Sequence, residues 1–172
     1  MPSLKTITFE HVPVMFKHFS GHPRPFNQYD REGGSSFDIR LDPEQFDDDA
    51  IKRMEQDELR VSQWVPKNGG DPIWHLPVNC SFTDSNGARV KVPPRFYIIE
   101  GDNVTELTED NVEMLDSVRI AWADIEVNPW RRNETRPYSC YMRSGYFCIQ
   151  QSELDKKYAK YVHEDNGEYD QY

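Results

Sequence analysis

Asp116, Asp124 and Glu126 form the only group of side chains whose spacing could support catalysis. Asp124 and Glu126 lie two apart in a strand-like run, so they share a face. With Asp116 they could hold a divalent ion for a metal-dependent nuclease. Many such sites also place a lysine nearby, and the sequence has none between Lys91 and Lys156. A second constellation suits binding. Trp130, Arg131, Arg132, Arg136, Tyr138, Tyr141 and Arg143 crowd one stretch, and Arg24, Phe26, Tyr29 and Arg31 crowd another, among prolines and glycines. Cations that follow phosphates, interleaved with rings that stack on any base, are what single-stranded nucleic acid requires. Rings on a regular strand often belong to a core; an arginine-rich turn is harder to explain by packing.

The first stretch is carried by Val118–Gln151, two long runs of strand-forming residues around the link Trp130–Arg136. Alternation in Arg119–Val127 and an aromatic run from Tyr138 to Gln150 predict a long hairpin. Pro129 should end its first strand, because it cannot donate to a ladder, and Gly145 should bend or bulge the second. The second stretch, Ser20–Ser36, reads as a loop between strands.

The remaining chain supplies a scaffold. Lys5–Phe19 alternates as a strand with a phase change near His11-Val12-Pro13, and Phe37, Ile39 and Leu41 share one face of the next strand. Asp42-Pro43 predicts a helix start, followed by the apolar stripe Phe46, Ala50, Met54. Leu59–Val65 and Ile73–Phe82 read as a hairpin, with Trp74, Leu76, Val78, Cys80 and Phe82 on one parity. A strand at Phe96–Ile99, a turn at Gly101–Asn103 and a short helix from Thr108 lead into the long hairpin. After it, Ser152 caps a last helix with the stripe Leu154, Tyr158, Tyr161. The fold class is therefore mainly β with a few helices: a small Greek-key β-barrel or sandwich with insertions and a C-terminal helix. Residues 1–162 make one domain. Residues 163–172 form an acidic tail with Glu164, Asp165, Glu168, Tyr169, Asp170 and Tyr172.

Composition narrows the class further. The chain has 172 residues, 13% aromatic content and a net charge of −10. That acidity argues against whole-surface adhesion to nucleic acid and leaves room for a local basic groove, since screening beyond ~10 Å lets patches act separately. No window approaches the ~18 apolar residues of a membrane span. The start lacks an apolar signal region, and three unpaired-looking cysteines suit a reducing cytoplasm. The five histidines are scattered, and no phosphate-cradling glycine loop or metal-spaced Cys/His cluster occurs, so no cofactor is expected.

The segments HFSGHPRPFNQYDREG, FDIRLD, PPRFYII, LDSVRIAWADIEVNPW and YMRSGYFCI, spread between Lys17 and Tyr161, resemble a family of OB-fold-like single-stranded DNA-binding proteins from the replication modules of tailed bacteriophages. The resemblance implies non-sequence-specific single-strand binding in replication or recombination, no enzymatic activity, a host-cytoplasmic location and a tail that recruits replication partners. Two departures stand out. Ser35-Ser36 replace an arginine that relatives tend to carry before the strand's Phe, and Leu59-Arg60-Val61-Ser62 stands where they tend to read Trp-Asn-Val-Lys. The alternatives to a binder are the nuclease above and an acidic DNA mimic built on the Asp42–Glu58 run.

Overall fold

The alternation that marks the strands in the sequence becomes a partition of side chains in space. The computed structural model describes residues 5–150, so the predicted helix at Ser152 and the tail 163–172 lie outside the described residues. Nine strands appear among the described residues: β1 (Ile7–Val12), β2 (Val14–His18), β3 (Ser36–Arg40), β4 (Ser62–Trp64), β5 (Ile73–Asn79), β6 (Arg95–Glu100), β7 (Asn103–Leu107), β8 (Ile120–Trp130) and β9 (Ser139–Ile149). One helix, α1 (Asp48–Gln56), and a 3-10 helix at Val112–Asp116 complete the described elements. No described helix is long and apolar enough to cross a membrane.

Hydrogen-bonded neighbours run β1-β8-β9-β5-β3-β2. All pairs on this path are antiparallel except β5 with β9. Only Pro13 separates β1 from β2, so the two are one bent strand whose halves pair with opposite ends of the path. With that strand counted once, the circuit is first, second, third, fifth, fourth and back to first, the Greek-key order of an OB-fold. The ring of ladders is open between β1 and β2, where the chain itself makes the connection. β9 is the shared member: its first half pairs with β5, its second half with β6, and its whole length with β8.

The core lies inside this circuit. Phe37 and Ile39, Leu76 and Val78, and Ala123, Ile125 and Val127 all turn inward and are fully buried. Phe19, Phe37, Phe96 and Phe147 meet there with ring centroids 5.3–6.2 Å apart. On β9 the inward parity slips, from Cys140 and Met142 to Gly145 and Phe147. The ladder shifts at the same place, Glu126 facing Ser144 while Val127 faces Met142. The bulge predicted at Gly145 is thus present beside it.

Several boundaries differ from expectation. Asp42 closes only a turn, and α1 starts later because Asp47 is extended (ψ 177°) and its carboxylate accepts from Ala50 N–H at 2.8 Å. The strand expected at Leu59–Val65 shrinks to Ser62–Trp64, because Leu59 instead bridges to Tyr138 in parallel. β7 was unforeseen; it pairs with β6 directly across the Gly101 turn. Pro129 does not end β8. β1 covers β8 only as far as Val127, so the edge of β8 at Pro129 has no ladder there to need an N–H.

Gly145 is a close-approach position. A Cβ there would lie 2.7 Å from both Met142 Sδ and the Phe147 ring. Gly145→Ala should therefore destabilise the fold by about 1–3 kcal/mol, through overpacking. Urea unfolding monitored by tryptophan emission measures this, with the midpoint expected to fall.

Candidate nucleic-acid interface

Three loops converge at one end of the barrel: β2–β3 (residues 19–35), β5–β6 (80–94) and β8–β9 (131–138). Between them and the outward face of β5, β8 and β9 lies a groove of about 950 Å³.

The β2–β3 loop is pinched at its base. Gly33 N–H donates to Gly21 O at 2.9 Å, both glycines are left-handed, and a Cβ on Gly21 would meet Ser35 Oγ at 2.8 Å. Ser35 is buried, with its hydroxyl donating to Phe19 O and its N–H to Ser81 Oγ. Packing thus explains why a serine, and no long cation, stands before the strand. Within the loop, Arg24 donates through Nε to Asp30 at 2.6 Å and through its backbone N–H to the same oxygen at 3.0 Å. Arg24 is consequently a clip, with its charge met locally. These hydrogen bonds hold the Asp30 carboxyl well below the usual range, at about 2. Phe26 and Tyr29, 83% and 86% exposed, project from the same loop and line no part of the groove. Arg31 points the other way: its guanidinium donates to Thr83 O at 2.9 Å and ties this loop to the β5–β6 loop.

On the opposite bank, Arg131 is largely sequestered. Its guanidinium lies 4.3 Å from the centre of the Tyr138 ring and donates to Glu58 at 2.6 Å. Glu58, just past α1, has φ +60° and accepts Tyr138 N–H at its carbonyl. Arg131 therefore fastens the β8–β9 loop, and Tyr138 is buried beneath it with no open face for a base. Arg132 and Arg136 are exposed beyond it. Trp130 and Tyr141, neighbours across β8 and β9, stand edge to face at 6.1 Å and are 56% and 39% exposed.

The groove also gathers Arg60, Arg89 and Lys91, with Asn79 and Asn128 on its floor. Among its cations Arg131 and Arg89 have carboxylate partners, Glu58 and Glu109. Arg31, Arg60, Lys91, Arg132 and Arg136 have none among the described residues. The one acid lining the groove among the described residues is Asp84, whose carboxylate is occupied by the N–H groups of Asn86 and Ala88 in its own turn. The described lining therefore carries an excess of cations, where the chain as a whole is strongly negative.

Of the residues predicted from sequence, the structure brings together Arg31, Trp130, Arg131, Arg132, Arg136 and Tyr141. Arg24, Phe26 and Tyr29 stand outside the groove's lining. Arg143, two residues along β9 from Tyr141, pairs with Glu126 at 3.5 Å. Arg60, Arg89 and Lys91 were missed as groove residues. The alternating Arg89-Val90-Lys91 was a usable signal, but its partners are distant in sequence. The proposed metal group does not assemble. Asp116 accepts the N–H groups of Phe19 and Ser20, Asp124 accepts that of His11, and Glu126 faces Arg143. No cluster of acidic, histidine or cysteine side chains able to hold a metal occurs among the described residues.

A family model described as "Putative phage ssDNA-binding domain" matches residues 2–170. Two solved structures share the fold. One is the single-stranded DNA-binding protein of bacteriophage Enc34 in complex with ssDNA, 12% identical with a TM-score of 0.50 over 86% of this chain and 88% of that one. The other is a C-terminal truncation of the Enc34 protein, 13% identical with a TM-score of 0.50 over 86% and 87%. No curated protein matches the chain.

The Arg24–Asp30 clip is testable by titration. Because the folded carboxyl is depressed, the clip contributes above the ordinary carboxylate pKa and is lost as pH falls through about 2. NMR titration of the Asp30 carboxyl carbon should give a midpoint near 2. Arg24→Ala should move it up toward the ordinary range, and a midpoint unmoved by that change would show that the clip is not the cause.

Proposed function

The chain belongs to the phage ssDNA-binding domain family, and we propose that it holds single-stranded DNA, without sequence preference, in the groove between its three converging loops. One observation carries this reading: exposed Trp130 and Tyr141 stand among arginines and a lysine that lack carboxylate partners among the described residues, in a chain of net charge −10. Arg31, Arg60, Lys91, Arg132 and Arg136 would follow the phosphates, while Trp130 and Tyr141 offer faces to bases. Arg131, Arg24 and Tyr138 serve by holding the loops. Phe26, Tyr29 and Arg143 flank the groove and extend the surface to a longer strand.

The protein acts as a binder in replication or recombination of phage DNA in the host cytoplasm, with no catalytic step. The scattering of Asp116, Asp124 and Glu126 onto backbone and arginine partners supports this over the nuclease. Against the DNA mimic, the acidic run is broken at Asp47, and Glu58 is already engaged by Arg131. Residues 1–162 act as the binding domain. The tail 163–172, with Glu164, Asp165, Glu168, Tyr169, Asp170 and Tyr172, competes for the groove and presents itself to replication proteins once displaced. A tethered anionic segment reaches millimolar effective concentration, which makes such competition feasible.

Fluorescence anisotropy with labelled oligo-dT and a duplex of equal charge tests the reading. The single strand should bind far more tightly, and Trp130→Ala should weaken it by about 1–3 kcal/mol. Equal affinity for duplex would overturn it. In a salt series, replacing Arg132 and Arg136 together by Ala should reduce the slope of log affinity against log salt by about 1.4, at ~0.7 per phosphate. An unchanged slope would remove these two arginines from the interface. Deleting residues 163–172 should tighten single-strand binding several-fold at low salt, with the gain fading as salt screens the tail. Equal affinities at low salt would discard the tail's competition alone.

A further inference from the structure

A second group of exposed rings stands at the opposite end of β5. Phe16 and Trp64, 45% and 40% exposed, meet edge to face at 5.6 Å, and Phe16 also lies 5.4 Å from the His75 ring. Arg40, exposed and opposite His75 in the β3–β5 ladder, has no carboxylate partner among the described residues. Asp38, the nearby acid, is engaged by His75 Nδ1. The combination repeats that of the groove: exposed rings beside an uncommitted cation.

The two places share one surface. His75, Pro77 and Asn79 alternate with the buried Leu76 and Val78, so all three face outward. Asn79 lines the groove and pairs with Tyr141 in the β5–β9 ladder, while His75 touches Phe16. Four residue steps along the strand lead from His75 to Asn79, a span of about 13 Å.

Phe16 is held there against its own backbone preference. It has φ +53°, at the register shift between Met15 and His18. A left-handed residue at a bulge is ordinarily glycine, and a bulky side chain there is a conformational outlier. The other two non-glycine residues with positive φ among the described residues have visible contacts: His11 stacks on Trp122 at 4.2 Å, and Glu58 binds Arg131. Phe16 also has ring neighbours, Trp64 and His75, but its own ring and that of Trp64 stay half exposed. Strain retained at an exposed ring is the kind of outlier that points to a ligand.

We propose that Phe16, Trp64 and Arg40 form a second base-stacking subsite, reached by the bound strand along the outward face of β5. The inference rests on the single-strand reading of the groove and sets the path of the strand beyond it. Phe16 and Trp64 take a base between or against their rings, and Arg40 meets the adjoining phosphate.

Phe16→Gly is the decisive variant, because glycine suits the left-handed backbone while removing the ring. Its melting temperature should be held or raised. Its affinity for oligo-dT of about 16 nucleotides should nevertheless fall roughly tenfold, as should that of Trp64→Ala. Photocrosslinking with an oligonucleotide carrying 5-iododeoxyuridine should give adducts at Phe16 or Trp64 as well as at Trp130 or Tyr141. If Phe16→Gly loses stability, Trp64→Ala and the adduct map decide. Wild-type affinity in both variants, with adducts confined to Trp130 and Tyr141, overturns the second subsite and leaves the groove standing. Loss of the Trp130 and Tyr141 adducts, with no effect of Trp130→Ala, would instead overturn the groove reading on which the inference rests.

Discussion

Four phenylalanine rings hold the molecule in register. Phe19 at the end of β2, Phe37 on β3, Phe96 on β6 and Phe147 on β9 are each essentially fully buried, and their rings meet stacked or edge to face. Burial of one such side chain contributes roughly 1.5–3 kcal/mol, and a well-oriented ring pair about 0.5–1.5 more. The cluster does more than stabilise. Phe19 is where the β2–β3 loop begins, and its backbone is gripped on both sides: its N–H donates to Asp116 and its carbonyl accepts from Ser35. Phe147 lies two residues past Gly145 and crowds it, next to where the outward parity of β9 changes. The exposure of Tyr141 before that bulge and of Tyr146 after it follows from this packing.

The loops inherit their positions from the core and then lock one another. Arg31 reaches across to Thr83, and Arg131 reaches back to Glu58, so each arginine closest to the barrel is used as a fastener. The cations further out, Arg132, Arg136, Arg60 and Lys91, remain exposed and without carboxylate partners among the described residues. Such a division suits single-strand binding. Rigid inner contacts keep the groove open without a ligand, so less ordering cost falls on association. The negative charge elsewhere discourages nonspecific adhesion without cancelling a groove that acts at short range.

Much of this was legible in the sequence, and the limits have physical causes. The strands around Phe37, Leu76, Ile125 and Phe147 were visible because alternation records burial on one face. The bend at Pro13 and the bulge near Gly145 were visible because proline and glycine mark such places. β7 was hidden because its exposed residues, Asn103 to Glu106, carry little apolar alternation. The start of α1 was misplaced because Asp42 and Asp47 both offer a capping carboxylate, and only the backbone at Asp47 decides between them. The two arginine-aromatic stretches could be found as local composition. Their division into Arg132 and Arg136, free of such contacts among the described residues, and Arg24, Arg31 and Arg131, acting as fasteners, depends on Asp30, Thr83 and Glu58. Glu58 is remote in sequence from Arg131, and no local pattern announces the pairing.

The central claim is that the groove between the three loops is where a single strand lies. Its most direct test is a ¹H–¹⁵N NMR titration of the intact chain with oligo-dT. The account predicts that the largest shifts fall on the Trp130 indole and on the backbone amides of Asn79, Lys91, Arg132, Arg136 and Tyr141. Shifts concentrated instead on the β6–β7 hairpin or α1, with those amides unmoved at saturation, would contradict it.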